Sequence, residues 1–312
     1  MLFGKGRTRN HIRLTGGDKV YSIIAHLLVL SFAFLCLYPF WYVIVNSLSS
    51  GSAQRDGVYF FPRDLYLQTY ISVLSDGKLL HGMYISGMRV LFTILTQVTF
   101  SAMFAFLMTR QKMKFRKFVY RYAIITMYVS GGLIPWYIVM RAYGLYNNFA
   151  LYIVPYMFNV FYVILIKTYI ESLPHELEEA ARIDGAGFVT TFFQIIMPVC
   201  KPILATCTLF TAVGTWNAFF DNFLMVSDPK LQTVQIELFN FIREAESIAR
   251  TMRQMAASGV QSREFLQSLR DQMSVDGVRN VTTIVSVLPI MIIYPFLQKY
   301  FARGIMMGAV KG

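Results

Sequence analysis

Long apolar runs alternate with polar connectors along the chain, and the length of the runs sets the first inference. A helix crossing a hydrocarbon core of about 30 Å, at about 1.5 Å per residue, needs about 20 mostly apolar residues. Six segments meet that requirement: 20–45, 85–108, 119–140, 151–170, 199–220 and 281–301. The pattern predicts an all-α integral membrane protein with six transmembrane helices, and an even number of crossings puts both termini on one side. Gly131, Gly132 and Pro135 in the third run, and Pro155 in the fourth, predict close packing or kinks there.

Three connectors are too long to be simple turns. Residues 47–82 carry turn signals, Arg55-Asp56-Gly57 and Phe61-Pro62-Arg63, and predict an ordered external loop. In 222–280, Leu238, Ile242, Ala245, Ala249, Met252 and Ala256 recur at helical spacing opposite Arg243, Glu244, Glu246, Arg250 and Arg253. A second short helix after Ser258-Gly259 would use Leu266, Leu269 and Met273. The expectation is an external helical hairpin, either folding on its own core or serving as a docking surface. The third connector is 171–198. The chain thus divides into a cytoplasmic segment, 1–19, and a transmembrane domain, 20–312, that contains the insertion at 222–280.

Charge orients this arrangement. The net charge is +12, yet only 15% of residues are charged while 55% are hydrophobic, a composition far from that of soluble proteins. Basic residues mark cytoplasmic connectors, and the cluster at 110–117, with Arg110, Lys112, Lys114, Arg116 and Lys117, is the strongest such signal. It predicts that the N- and C-termini are cytoplasmic. The basic excess is then a topology signal and needs no nucleic acid to explain it.

Candidate chemistry narrows the function by exclusion. Gly16-Gly17-Asp18-Lys19 lacks the spacing of a phosphate-binding loop, so no ATPase site is expected in this chain. His11, His26, His81 and His175 are scattered. Cys36, Cys200 and Cys207 form no Cys-x-x-Cys pair and read as small buried hydrophobes. No catalytic residue and no metal site are expected, and the chain is read as not an enzyme. Intramembrane charges are functional candidates because lipid penalises them. Lys167 can snorkel to an interface, and Arg89 either snorkels or faces an external cavity.

The most informative stretch is 171–198, ESLPHELEEAARIDGAGFVTTFFQIIMP. Pro174 suits a first helical turn, and Glu176, Glu178 and Glu179 follow where the helix dipole favours negative charge. Leu177, Ala180, Ala181 and Asp184 then present a small-residue face, and Gly185 and Gly187 end the helix. Glu179-Ala180-Ala181, three residues, Gly185, nine residues, Ile195 and, two residues on, Met197-Pro198 resembles the EAA loop of binding-protein-dependent ABC importers. Met197 stands where the family has Leu. Two further stretches, the Trp-Asn-aromatic run at 214–226 and the tail at 299–312, are similar to the carbohydrate branch of these permeases, the group of the smaller maltose-permease subunit and the lipoprotein-associated sugar permeases.

The resemblance implies a type I ABC importer permease fold in a bacterial or archaeal plasma (inner) membrane. It implies a second, non-identical permease subunit, two ATPase subunits that use ATP and Mg, an extracellular sugar-binding protein, and a carbohydrate substrate, with an oligosaccharide expected. This chain itself would bind no cofactor. Glu179, Ala180, Ala181, Asp184, Gly185 and Pro198 would couple to the ATPases, and Gly308, Lys311 and Gly312 of the tail would contact them. Trp216, Asn217, Phe220, Asp221 and Asn222 mix aromatic faces with amide and carboxylate groups, a combination suited to sugars. With Asn159, Tyr162 and Arg89 they are candidates for the substrate pathway. Two other classes stay open: a self-contained secondary carrier or channel, and a membrane assembly protein that uses its external hairpin.

Overall fold

The computed structural model describes residues 16–75, 77–174, 176–257 and 275–304. Among them no strand forms, and one antiparallel bridge joins Ser49 to Leu65. Three helices are long and apolar enough to cross a membrane unaided: α1 (Gly16–Ser47), α4 (Gly77–Thr109) and, over Val275–Pro295, the last helix α14 (Val275–Gly304). Three bent helix pairs also pass the test of length and composition, which makes six crossings when each pair is taken as one.

The breaks fall in the third, fourth and fifth of the six expected runs. The third run splits into α5 (Arg116–Tyr128) and α6 (Leu133–Ala142), bent by 118°. Gly132 adopts φ +83°, and a Cβ there would meet nothing within 4 Å. The glycine therefore serves the left-handed backbone of the break rather than close packing. The fourth run is a pair of 3-10 turns over Phe149–Tyr156, followed by α7 (Val160–Glu171) at 47°. In the fifth, α11 (Lys201–Trp216) lies at 81° to the helical stretch Phe188–Val199 and stops at Asn217, before α12 (Phe220–Met225). Phe188–Val199 itself comprises α9 (Phe188–Thr190), a π-helical stretch (Thr191–Ile196) and α10 (Met197–Val199).

α4 is the central element, packing against α7, α11 and α13 (Val234–Ala257), while α14 packs against α1, α11 and α13. Toward the end of α4 that carries Arg110, Val98, Ala102, Ala105 and Phe106 meet Val163 and Ile166 of α7 and Phe192 and Ile196. At its other end, Leu79 joins Val73, Val234, Leu238, Val281 and Val285. The insertion is therefore rooted on the chain's own helices: Val234 and Leu238 are buried there, and a Cβ on Gly82 would lie 3.2 Å from the Val234 backbone. Its proposed second helix lies outside the described residues.

Residues 47–82 are ordered by polar contacts. Between α1 and α4 stand α2 (Gly51–Asp56), whose N-cap Ser50 accepts from Ala53 N, and α3 (Gln68–Leu74). The Gln54 amide donates to the carbonyls of Asn46 and Ser49 at 2.6 and 3.0 Å, and Trp41 Nε1 donates to Phe60 O at 3.0 Å. Cys200 and Cys207 are buried as expected, but Cys36 is exposed on α1. The apolar outer surface of α1 needs no protein cover where acyl chains provide it.

Candidate functional site

Two regions gather the candidate residues, one at each end of α4. The first is the segment between α7 and α11. The acidic first turn of α8 (Glu176–Ile183) starts its helix, and Leu177 N donates to Pro174 O at 3.4 Å. It ends as the glycine predicts: Gly185 has φ +76°, and Ala186 N returns to Ala181 O at 2.9 Å. A chain reversal of this kind is the usual αL helix stop.

The small-residue face divides. Ala181 is 3% exposed and turns into the protein, whereas Glu179, Ala180, Asp184, Gly185 and Pro198 are exposed. Around them stands an apolar set that is exposed among the described residues: Ile183, 86% exposed, with Leu177, Phe188, Val189 and Phe193. A polar connector that exposes five large apolar side chains has the character of a protein-docking surface.

Arg110, at the end of α4, holds this segment. Its Nη1 and Nη2 donate to Oε2 and Oε1 of Glu178 at 2.5 and 2.7 Å, a two-bonded fork. The guanidinium lies 3.8 Å from the centroid of the Phe106 ring and 6.0 Å from that of Phe188. Arg116 Nη1 donates to Thr109 O at 3.1 Å. A cleft of ≈ 600 Å³ opens beside these groups, lined by Lys112, Arg116, Pro174 and Glu179 among others. The basic cluster that reads as a topology signal thus contains at least two residues with specific partners, Arg110 with Glu178 and Arg116 with Thr109 O.

In the second region Arg89 is buried among other crossings. It is 2% exposed, and its Nη2 and Nη1 donate to Asp221 Oδ2 and Oδ1 at 2.5 and 3.3 Å. The guanidinium stacks on Tyr152, 4.6 Å from the ring centroid. Tyr152 Oη donates to Leu231 O at 2.7 Å and accepts from Asn222 Nδ2 at 2.5 Å. Asn222 N donates to Asp221 Oδ1 at 2.9 Å. Arg89, Asp221 and Asn222 are therefore brought together, with no free surface in this conformation.

The other pathway candidates scatter. Trp216 Nε1 donates to Ser286 O at 3.0 Å, which joins α11 to α14. Asn217 is exposed and donates to Val213 O at 3.0 Å, and Phe220 is exposed as well. Asn159 caps α7, its Oδ1 accepting from Phe161 N and Tyr162 N. Tyr162 is buried in the core formed with α4. Lys167 pairs with Glu171 at 2.7 Å. Gly308, Lys311 and Gly312 lie outside the described residues. Among the described residues, no group of three or more His, Cys, Asp or Glu is placed to hold a metal.

One feature went unread in the sequence. Ser86, Arg89, Thr93, Gln97 and Ser101 form a buried polar stripe on α4 at spacings of three and four. Ser86 Oγ accepts from Val234 N, Thr93 Oγ1 donates to Tyr152 O, Gln97 Nε2 donates to Tyr156 O, and Ser101 Oγ accepts from Asn159 N, at 2.7 to 3.1 Å. Irregular backbone at membrane depth must be satisfied by protein, and the stripe does that for the broken fourth crossing. The signal was available as five polar residues at helical spacing in an apolar run.

A family model described as "Binding-protein-dependent transport system inner membrane component" matches residues 97–307. The chain is 31% identical over 300 residues to "Protein LplC" of Bacillus subtilis (strain 168), covering 96% of this chain and 97% of that one. It is 25% identical over 296 residues to the "Polygalacturonan/rhamnogalacturonan transport system permease protein YtcP" of the same organism, covering 95% and 99%. Among solved structures, a bacterial ABC transporter involved in the import of the acidic polysaccharide alginate superposes with a TM-score of 0.78 and 28% identity, over 92% of this chain and 99% of that one.

Proposed function

The chain belongs to the family of binding-protein-dependent transport system inner membrane components, and we propose that it is one permease half of an ATP-driven carbohydrate importer. Its substrate would be an oligosaccharide or a polysaccharide fragment, the class named for its relatives. The membrane would be a bacterial inner membrane; the similar proteins are bacterial. A second permease chain would complete the pore, two ATPase subunits would dock on the segment from α8 to α10, and an external binding protein would deliver the sugar. ATP binding inside and the loaded binding protein outside would together favour an outward-open state, and hydrolysis would restore the inward-open one. ATP chemistry would reside entirely in the partner chains.

The observation that carries this reading is the exposed apolar set around Gly185, presented by a helix that stops on a left-handed glycine. Tagging the chain, extracting it gently from its native membrane and identifying what copurifies tests it. A second permease and two copies of an ATPase are the expected partners. A chain that comes out alone and transports in ATP-free liposomes would replace this reading with the carrier.

A further inference from the structure

We infer that Arg110 and Glu178 form the link through which the docking segment moves α4, so that an ATPase pushing on α8 displaces the second crossing and not only the helices joined to α8 through the chain. The inference rests on the reading of α8–α10 as the ATPase-docking segment.

α8 has covalent routes to α7 and, through Gly185 and Gly187, to α9. It has no short one to α4 (Gly77–Thr109), since Arg110, the residue that follows that helix, lies 68 positions before Glu178. What joins them is the fork between Arg110 and Glu178. Two parallel N–H···O bonds fix the carboxylate in the plane of the guanidinium, which resists both rotation and sliding where a single lysine contact would allow them. The guanidinium is itself fixed from below by Phe106, which is fully buried. Phe106 in turn meets Phe188 and Phe192, at 4.8 and 5.4 Å between centroids. The end of α4 thus meets the start of α9 directly through Phe106 and Phe188, and meets α8 through Arg110 and Glu178.

The consequence extends along α4. The helix runs 33 residues without a break, and its polar stripe carries the backbone of the fourth crossing. Its far part also holds Asp221 through Arg89. A displacement applied at Arg110 therefore reaches the elements around Tyr152 and Asn222 by way of a rigid rod. In this scheme Arg110 and Glu178 are positioning residues: they transmit motion and touch neither nucleotide nor sugar.

The test uses the full-length chain in its purified complex, in a Cys36→Ser background with spin labels at Lys112→Cys and Glu176→Cys, and Mg-ATP with vanadate as the probe. With the native pair, the label distance stays constant on nucleotide trapping. In Arg110→Gln and in Glu178→Gln it changes by on the order of 2 Å, the scale of helix shifts at interfaces, while ATP hydrolysis continues. The exchange Arg110→Glu with Glu178→Arg restores the constant distance, and a merely structural role would not tie that distance to nucleotide trapping in the single variants. Should either single variant fail to assemble, the other and the exchange carry the comparison. A native distance that shifts as far as in the variants, or an exchange that behaves as the single variants do, overturns the link. Absence of any ATPase from the wild-type preparation would instead overturn the functional reading, and it is seen before a label is introduced.

Discussion

Arg89 and Asp221 stand 132 positions apart in the chain and meet in a two-bonded ion pair whose side chains are each 2% exposed. The pair joins the second crossing to the short helix that follows the fifth. Its surroundings leave little room for either charge alone: Tyr152 covers the guanidinium, and Asn222 N occupies one carboxylate oxygen.

Removing one partner should therefore be far worse than removing both. Asp221→Ala leaves a buried, unpaired guanidinium and is expected to cost about 3–5 kcal/mol, whereas Arg89→Met with Asp221→Leu should recover most of that loss. Thermal unfolding of the detergent-purified complex measures both. A double variant no more stable than Asp221→Ala would mean that the charges are needed for more than each other.

The polar stripe on α4 makes a second prediction. Gln97 bonds Tyr156 O through its Nε2 and accepts from Thr211 Oγ1, both at 2.7 Å. Gln97→Leu removes both bonds and leaves Tyr156 O without this donor, which should cost about 1–3 kcal/mol. Thr96→Val, one position away, removes a hydroxyl that bonds only to its own helix, and should stay within about 0.5 kcal/mol. Equal melting shifts would remove the stripe's assigned role.

Two glycines of α4 should respond with opposite signs. A Cβ at Gly82 would stand 3.1 Å from Glu237 Cγ and 3.2 Å from Val234 Cα and N, whereas at Gly87 it would meet nothing within 4 Å. Gly82→Ala should push α13 off α4 and destabilise by about 1–3 kcal/mol. Gly87→Ala should stabilise by about 0.5–1 kcal/mol through lost backbone freedom in the unfolded chain. Limited proteolysis within 234–257 reports the first, and the melting temperature reports both.

Gly185 tests the docking segment. A Cβ there would meet nothing within 4 Å among the described residues, so the penalty is conformational, from φ +76°. Gly185→Val should cost about 1–2 kcal/mol locally and sharply reduce ATPase copurification, while Gly185→Asn, which tolerates the left-handed region, should keep more of it. Normal copurification and uptake with Gly185→Val at wild-type abundance would count against the docking role.

Much of this was legible without coordinates. The apolar runs at 20–45 and 85–108 correspond to α1 and α4, because a bilayer imposes length and hydropathy on each crossing separately. The helix from Glu176 and its stop at Gly185 were readable for the same kind of reason: an acidic first turn and a terminal glycine act within a few residues of themselves. The motif around Glu179 likewise pointed to the family directly.

What the tertiary structure alone decided is how separate segments meet. The break at Gly132 takes a 118° turn that a hydropathy window averages away. Whether Arg89 snorkels or is buried depends on Asp221 and Tyr152, which arrive from other crossings, and no local pattern encodes that encounter. Arg110 looked like one of several cytoplasmic cations until packing set Phe106 beneath it and Glu178 beside it. Local chemistry is written in neighbouring residues and can be read there, whereas a buried charge takes its partner from whichever helix the fold packs against it.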